Sequence, residues 1–146
     1  MPGRPRLRSS VLIVLALLSA PFAGGVGLAR ATHAPDHRFI VLGYVTDATG
    51  RGRPRVPVVV TRLRTGLTYP TATEADGFYF VVVHLHDEDQ GDPLKVSVAG
   101  ASAEIRARFT VGDAKTERGT RLDFRGGKPS EAPANFAETL RAYLAR

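Results

Sequence analysis

The sequence predicts an all-β protein, a seven-stranded Greek-key β-sandwich with a short C-terminal helix, preceded by a signal peptide. Between residues 38 and 125, apolar β-branched runs alternate with Gly-, Asp- and Thr-rich turns at short intervals, the pattern of a sandwich or barrel. Helical periodicity is confined to the end of the chain, where Phe136, Leu140, Tyr143 and Leu144 recur at i, i+4, i+7 and i+8. The first thirty-one residues carry a basic, then apolar, then small-residue layout that belongs to export rather than to the fold.

In that leader, Arg4, Arg6 and Arg8 form the basic region and residues 11–18 the apolar one. Ala29-Arg30-Ala31 supplies the small-x-small cleavage pattern. Cleavage is expected after Ala31, with Ala34 as the second choice. The competing expectation is a retained membrane anchor, because the apolar stretch from Val11 to Ala29 approaches a span. Pro21 and Gly24-Gly25 interrupt such a helix, and contact with a membrane is expected only in that case. Residues 32–37 then read as a flexible N-terminus, 38–125 as the sandwich, and 126–146 as a linker and amphipathic helix.

Cleavage leaves 115 of the 146 residues, enough for one domain with a modest core. Arg4, Arg6, Arg8 and Arg30 leave with the leader and no acidic residue does, so a net charge of +6 falls to +2. A balance that close to neutral argues against a nucleic-acid partner. The chain has no cysteine, which excludes thiol chemistry, cysteine-ligated zinc and iron–sulfur sites, and leaves the core alone to hold the domain outside the cytosol. The expected location is secreted or periplasmic, in a bacterial envelope.

Taken in order, residues 38–45 (RFIVLGYV) read as a strand stopped by the type I turn chemistry of Asp47-Ala48-Thr49-Gly50. The valine-rich residues 56–63 form a second strand, ending at Thr65-Gly66. Residues 67–73 read as an edge strand, since Pro70 cannot donate to a central ladder. Asp76-Gly77 is a hairpin signal ahead of residues 78–85, the longest apolar strand, and residues 87–92 form an acidic loop. Residues 94–99, 103–111 and 120–124 complete the set. Gly126-Gly127-Lys128-Pro129-Ser130 reads as a linker, and Asn135 with Glu138 as an N-cap pair for the terminal helix.

Three stretches together resemble the carboxypeptidase regulatory-like domain, a transthyretin-like sandwich. Gly43-Tyr44-Val45-Thr46-Asp47-Ala48-Thr49-Gly50 is similar to that family's G-x-V-x-D-x-x-G opening hairpin. Val56-Pro57-Val58-Val59-Val60, running on to Thr65-Gly66, resembles its strand ending in a Thr-Gly turn. Residues 71–79 (TATEADGFY) resemble its T-x-T-x-x-D-G-x-[FY] segment. The likeness covers residues 39–100. It departs at Arg51-Gly52-Arg53-Pro54, which lengthens the first loop, and at Gly91-Asp92-Pro93-Leu94, which replaces a Gly-x-Tyr. The resemblance implies a non-catalytic binding or bracing module.

Catalytic residues are not expected. After the leader the serines are Ser97, Ser102 and Ser130, none within G-x-S-x-G. The hydroxyisourate hydrolases share the sandwich, but the histidine of their opening motif is missing from Leu42-Gly43-Tyr44-Val45-Thr46-Asp47, and Phe124-Arg125-Gly126-Gly127 only echoes their terminal motif. No cofactor is implied. His84 and His86, at i and i+2 of a strand, point to one face as two ligands of a divalent metal would. Alternatively they face water at a strand end. Asp87, Glu88, Asp89 and Asp92 offer oxygens nearby, yet the loop lacks the EF-hand spacing expected for calcium. His33 and His37 fall in the expected flexible segment, where a stray copper affinity is the most that is expected of them and no function is. Arg51, Arg53, Arg55, Arg62 and Arg64 concentrate positive charge, read first as solvated surface and second as a contact for an acidic partner or anionic envelope polymer.

Apolar residues are in excess on two strands. With Val45, Val56, Val58, Val60, Tyr79 and Val81 facing the core, alternation turns Ile40, Leu42, Tyr44, Phe78, Phe80 and Val82 outward, where one wet face should be polar. Each large apolar side chain gains roughly 1.5–3 kcal/mol from burial, so a cover is expected. The terminal helix, through Phe136, Leu140, Tyr143 and Leu144, is one candidate. A second copy or an unknown envelope or secreted protein is another, and β-bulges that shift the parity are a third. The expectation is therefore an exported, non-enzymatic binding or structural module contacting a protein or envelope polymer. The alternative is a small periplasmic metal-binding protein using His84 and His86.

Overall fold

The computed structural model describes residues 37–146. The leader, its cleavage positions and the start of the expected flexible segment lie outside the described residues. Nine residues of uninterrupted extended chain, Arg38–Thr46, form β1. Their burial alternates only weakly because both faces of the strand are covered. β2 (Pro57–Arg62), β3 (Thr68–Ala72), β4 (Phe78–His84), β5 (Pro93–Val98), β6 (Ala101–Arg106), β7 (Gly119–Arg125) and β8 (Lys128–Glu131) follow, then α1 (Phe136–Leu144).

The strands make two four-stranded sheets, ordered β4-β1-β7-β8 and β3-β2-β5-β6. Every ladder is antiparallel except β1 with β7. β3 lies at a sheet edge, as Pro70 requires. Between the sheets sits the main core, built from Phe39, Val41, Val45, Val58, Val60, Tyr79 and their neighbours. The Tyr79 hydroxyl donates to the Leu122 carbonyl at 2.6 Å. Burial, reinforced by the charge of Asp123, raises its pKa well above the ordinary phenol value. Gly43 has no substitute there, since a Cβ would drive into the Leu122 carbonyl where β1 and β7 meet.

Three local expectations need correction. The strand expected over residues 103–111 is β6, Ala101–Arg106, and the chain leaves the sheet before Ala107. The stretch expected as a linker turns tightly instead. Gly126 and Gly127 both take positive φ (55° and 79°), which suits a two-residue hairpin, and Arg125 pairs with Lys128 to open β8, an eighth strand. Asn135 does precede α1, but it has helical φ and ψ (−91° and −1°) and its side chain makes no cap hydrogen bond. The 3-10 turn Pro133–Asn135 leads straight into the helix, and the Thr139 hydroxyl donates to the Asn135 carbonyl at 2.7 Å.

The outward stripe of β1 and β4 is covered from within the chain. Ile40, Leu42 and Phe78 are buried with Phe136 and Leu140, while Tyr44, Phe80 and Tyr143 pack partly buried around them. Tyr143 stacks on Phe78 and Phe80 at centroid distances of 4.9 and 5.1 Å. The Phe136 ring occupies the space that a side chain at Gly119 would need. At the helix end, Arg146 pairs with Glu74 at 3.0 Å and Asp76 at 3.2 Å, beside the Asp76-Gly77 turn. Val82, 41% exposed, and Leu144, 72% exposed, remain outside this second core.

Candidate metal centre

β4 ends at His84, and its partner in the β1 ladder is Arg38. One further backbone bond, from the Leu85 N–H to the His37 carbonyl at 3.2 Å, carries the pairing past the strand ends. That bond fixes His37 beside residues 84–86. An extended residue 37 would share the parity of Phe39 and point into the core. Residue 37 is instead in a 3-10 turn, which breaks the alternation and lets its ring meet those of His84 and His86.

His86 is held from the other side. Its N–H donates to the Asp89 carboxylate at 2.9 Å, and its carbonyl accepts from the Asp89 N–H at 3.0 Å, closing the 3-10 turn Asp87–Asp89. The three imidazoles lie with ring centroids 4.5, 4.9 and 5.6 Å apart. One potential ligand nitrogen from each falls within 4.8 Å of the other two. A tetrahedral ion with metal–nitrogen bonds of about 2.0–2.1 Å needs them roughly 3.3 Å apart, so the three rings must draw closer by up to about 1.5 Å to coordinate one ion. His84 is exposed, and His37 and His86 are half-buried.

The acidic loop has other work. Asp89 and Asp92 are buried, 5% exposed each, and both pair with Arg62 and Arg64. The Arg62 Nε lies 2.6 Å from Asp92, and the Arg64 guanidinium 2.8 Å from the same carboxylate. Burial works to raise the Asp89 pKa, but the His86 N–H and the charges of Arg62 and Arg64 outweigh it and hold the carboxyl below its ordinary value. Asp87 is taken by the Arg118 guanidinium at 2.6 Å and the Gly112 N–H at 2.8 Å, which lower its pKa. The carboxylates of Asp87, Asp89 and Asp92 are thus engaged by guanidinium and amide groups. By the same pairing, Arg62 and Arg64 are not simply a solvated basic surface; Arg62 is only 8% exposed.

No family model matches the chain, and no curated protein matches it. The resemblance to the carboxypeptidase regulatory-like domain therefore rests on its three sequence motifs. Geometry alone must speak for the site. His84 and His86 come together as their spacing implies, and His37 joins them. Sequence reasoning missed His37, which lies far away along the chain. The signal available was the antiparallel pairing of the first strand with the 78–85 strand, which sets the chain's entry opposite residues 84–86. Three imidazoles at one locus suit divalent zinc, copper, nickel or cobalt.

Proposed function

We propose that the protein is an exported, non-enzymatic β-sandwich module that binds a divalent transition-metal ion through His37, His84 and His86. The convergence of three imidazole nitrogens from two paired strand ends, within 4.8 Å of one another, carries this reading. Export is supported by the leader's basic, apolar and small-residue order. A Greek-key, transthyretin-like sandwich is supported by the three motifs between residues 39 and 100. The rival reading, a protein partner docked on the outward stripe of β1 and β4, loses its motive because α1 lies over most of that stripe.

Thermal melts in the presence and absence of zinc, copper and nickel test the proposal. A site built in the native state raises the melting temperature with metal, and the double variant His84→Ala, His86→Ala removes the rise. An unresponsive wild type, or a double variant that responds equally, would end the metal reading.

A further inference from the structure

A sheet edge is a row of unpaired N–H and C=O groups, and an exposed edge needs protection from pairing with another chain. The two sheets end in four edge strands, β4, β8, β3 and β6. Three of them are protected. β3 carries Pro70, β6 displays Glu104 and Arg106, and the short β8 holds Lys128, Pro129 and Glu131. β4 has none of these devices. Its sequence, FYFVVVH, contains no proline, lysine, arginine or carboxylate, and its ladder with β1 runs without a bulge. Bonding parity shows which backbone groups lie on the open side. The Val45 N–H donates to the Gly77 carbonyl and the Leu85 N–H to the His37 carbonyl, so the odd-numbered residues of β4 bond to β1. Phe80 and Val82 therefore turn their N–H and C=O groups away from β1. Among the described residues, no ladder or turn bond takes those groups. Phe78 is occupied, since its N–H donates to the Asp76 carboxylate and its carbonyl accepts from the Glu74 N–H. Tyr143 of α1 stacks on the face of the strand at Phe78 and Phe80, and leaves Val82 41% exposed.

We infer that the open edge of β4 pairs with the same edge of a second copy, antiparallel about a two-fold axis, joining two four-stranded sheets into one. The chemistry of the edge selects that partner. Run antiparallel, Phe80 and Val82 are the complement of Val82 and Phe80. Setting Phe80 opposite Val82 bonds their outward N–H and C=O groups and lays apolar side chains against each other on the outer face. The ends of the strand agree with that direction. Glu74 and Asp76, linked to Arg146, stand at the start of β4, and the three imidazoles gather at its end. Antiparallel pairing brings the acidic start of one strand toward the histidine end of the other, whereas parallel pairing would set like against like. The contact is isologous and closes on itself. It consumes the unguarded edge, and the joined sheet then ends on both sides in β8, guarded by Pro129. With one short edge joined, the interface belongs to the small, reversible class.

Sedimentation equilibrium provides the test, on the full chain expressed with its leader and purified as the cell delivers it, in chelator, from micromolar to millimolar concentration. The inference expects a reversible monomer–dimer equilibrium. Val82→Lys puts a charge on the open edge and is expected to weaken the dimer by at least about tenfold while leaving the circular-dichroism spectrum unchanged. A monomer at every concentration overturns the inference, as does a dimer that Val82→Lys leaves intact, or an assembly that grows past two copies. If Val82→Lys fails to fold, hydrogen exchange on the wild type decides instead. The Phe80 and Val82 amides should exchange more slowly as the concentration rises, and a rate that is the same at all concentrations overturns the pairing. A dimer that forms only with added zinc and vanishes in chelator places the contact at the histidines. That result overturns the edge pairing and leaves the metal reading standing.

Discussion

Residues 84–92 feed two polar clusters of opposite character. On one side, buried Asp89 and Asp92 pair with buried Arg62 and half-exposed Arg64 in a charge-matched network. On the other, His84 and His86 meet His37, with one ligand nitrogen of each within 4.8 Å of the others. The closed cluster satisfies itself, because each carboxylate accepts from guanidinium groups and the charges cancel. The open cluster gathers donors of one kind, which suits a cation supplied from outside. A short turn thus separates a structural device from a binding one, and the carboxylates that look like metal ligands in the sequence belong to the former.

The contrast can be broken most strongly at Asp89. Asp89→Ala leaves Arg62 buried with half its partners and is expected to cost about 3–5 kcal/mol in urea unfolding, with loss of the His86 N–H contact. A cost under about 1 kcal/mol would mean that the network is merely surface charge.

The helix cover offers the next test. Leu140→Ala, at a residue 6% exposed, is expected to destabilise by about 2–4 kcal/mol while leaving metal affinity unchanged, since α1 packs on the stripe and not on the histidines. On the open side, zinc at about a hundred times its dissociation constant should add about 2.7 kcal/mol to the unfolding free energy, and nothing in His84→Ala.

Acid separates the clusters further. The Asp89 carboxyl is held below its ordinary pKa, and that of Asp113, bonded by the Thr116 side chain and the Lys115 and Thr116 N–H groups, is lowered to about 2. Depressed carboxyls mean that the unfolded chain binds more protons below about pH 4. Their stabilisation is complete above that range and is lost as pH falls toward about 2, so the urea midpoint of the metal-free protein should drop between about pH 5 and pH 3. The smallest effect belongs to the open cluster itself. His84→Ala without metal should change stability by less than about 0.5 kcal/mol, as for an exposed residue.

Much of this was legible from residue patterns. Alternation assigned both faces of β1 and β4 correctly, because no bulge interrupts their ladder between Arg38 and Tyr44. The helical period at Phe136, Leu140 and Tyr143 marked the side chains that meet the outer face. What alternation could not give was extent. Leu144 continues the period, yet it is 72% exposed because the helix is ending there. β8 was hidden because Lys-Pro-Ser-Glu has little strand propensity, and its fully exposed residues reveal that ladder bonds and the Gly126-Gly127 turn hold it rather than burial. The Arg62–Asp89 and Arg62–Asp92 pairs were illegible for a different reason. A basic strand end and an acidic loop read separately as solvent-facing, and only strand pairing brings them together. His37 escaped on the same ground.

The most direct measurement is the number of imidazoles around the bound ion, read by X-ray absorption on the zinc-loaded protein. Three histidine nitrogens in the wild type, falling to two in His37→Ala, is the predicted result. Two or fewer in the wild type, or the same count after removal of His37, would contradict the site.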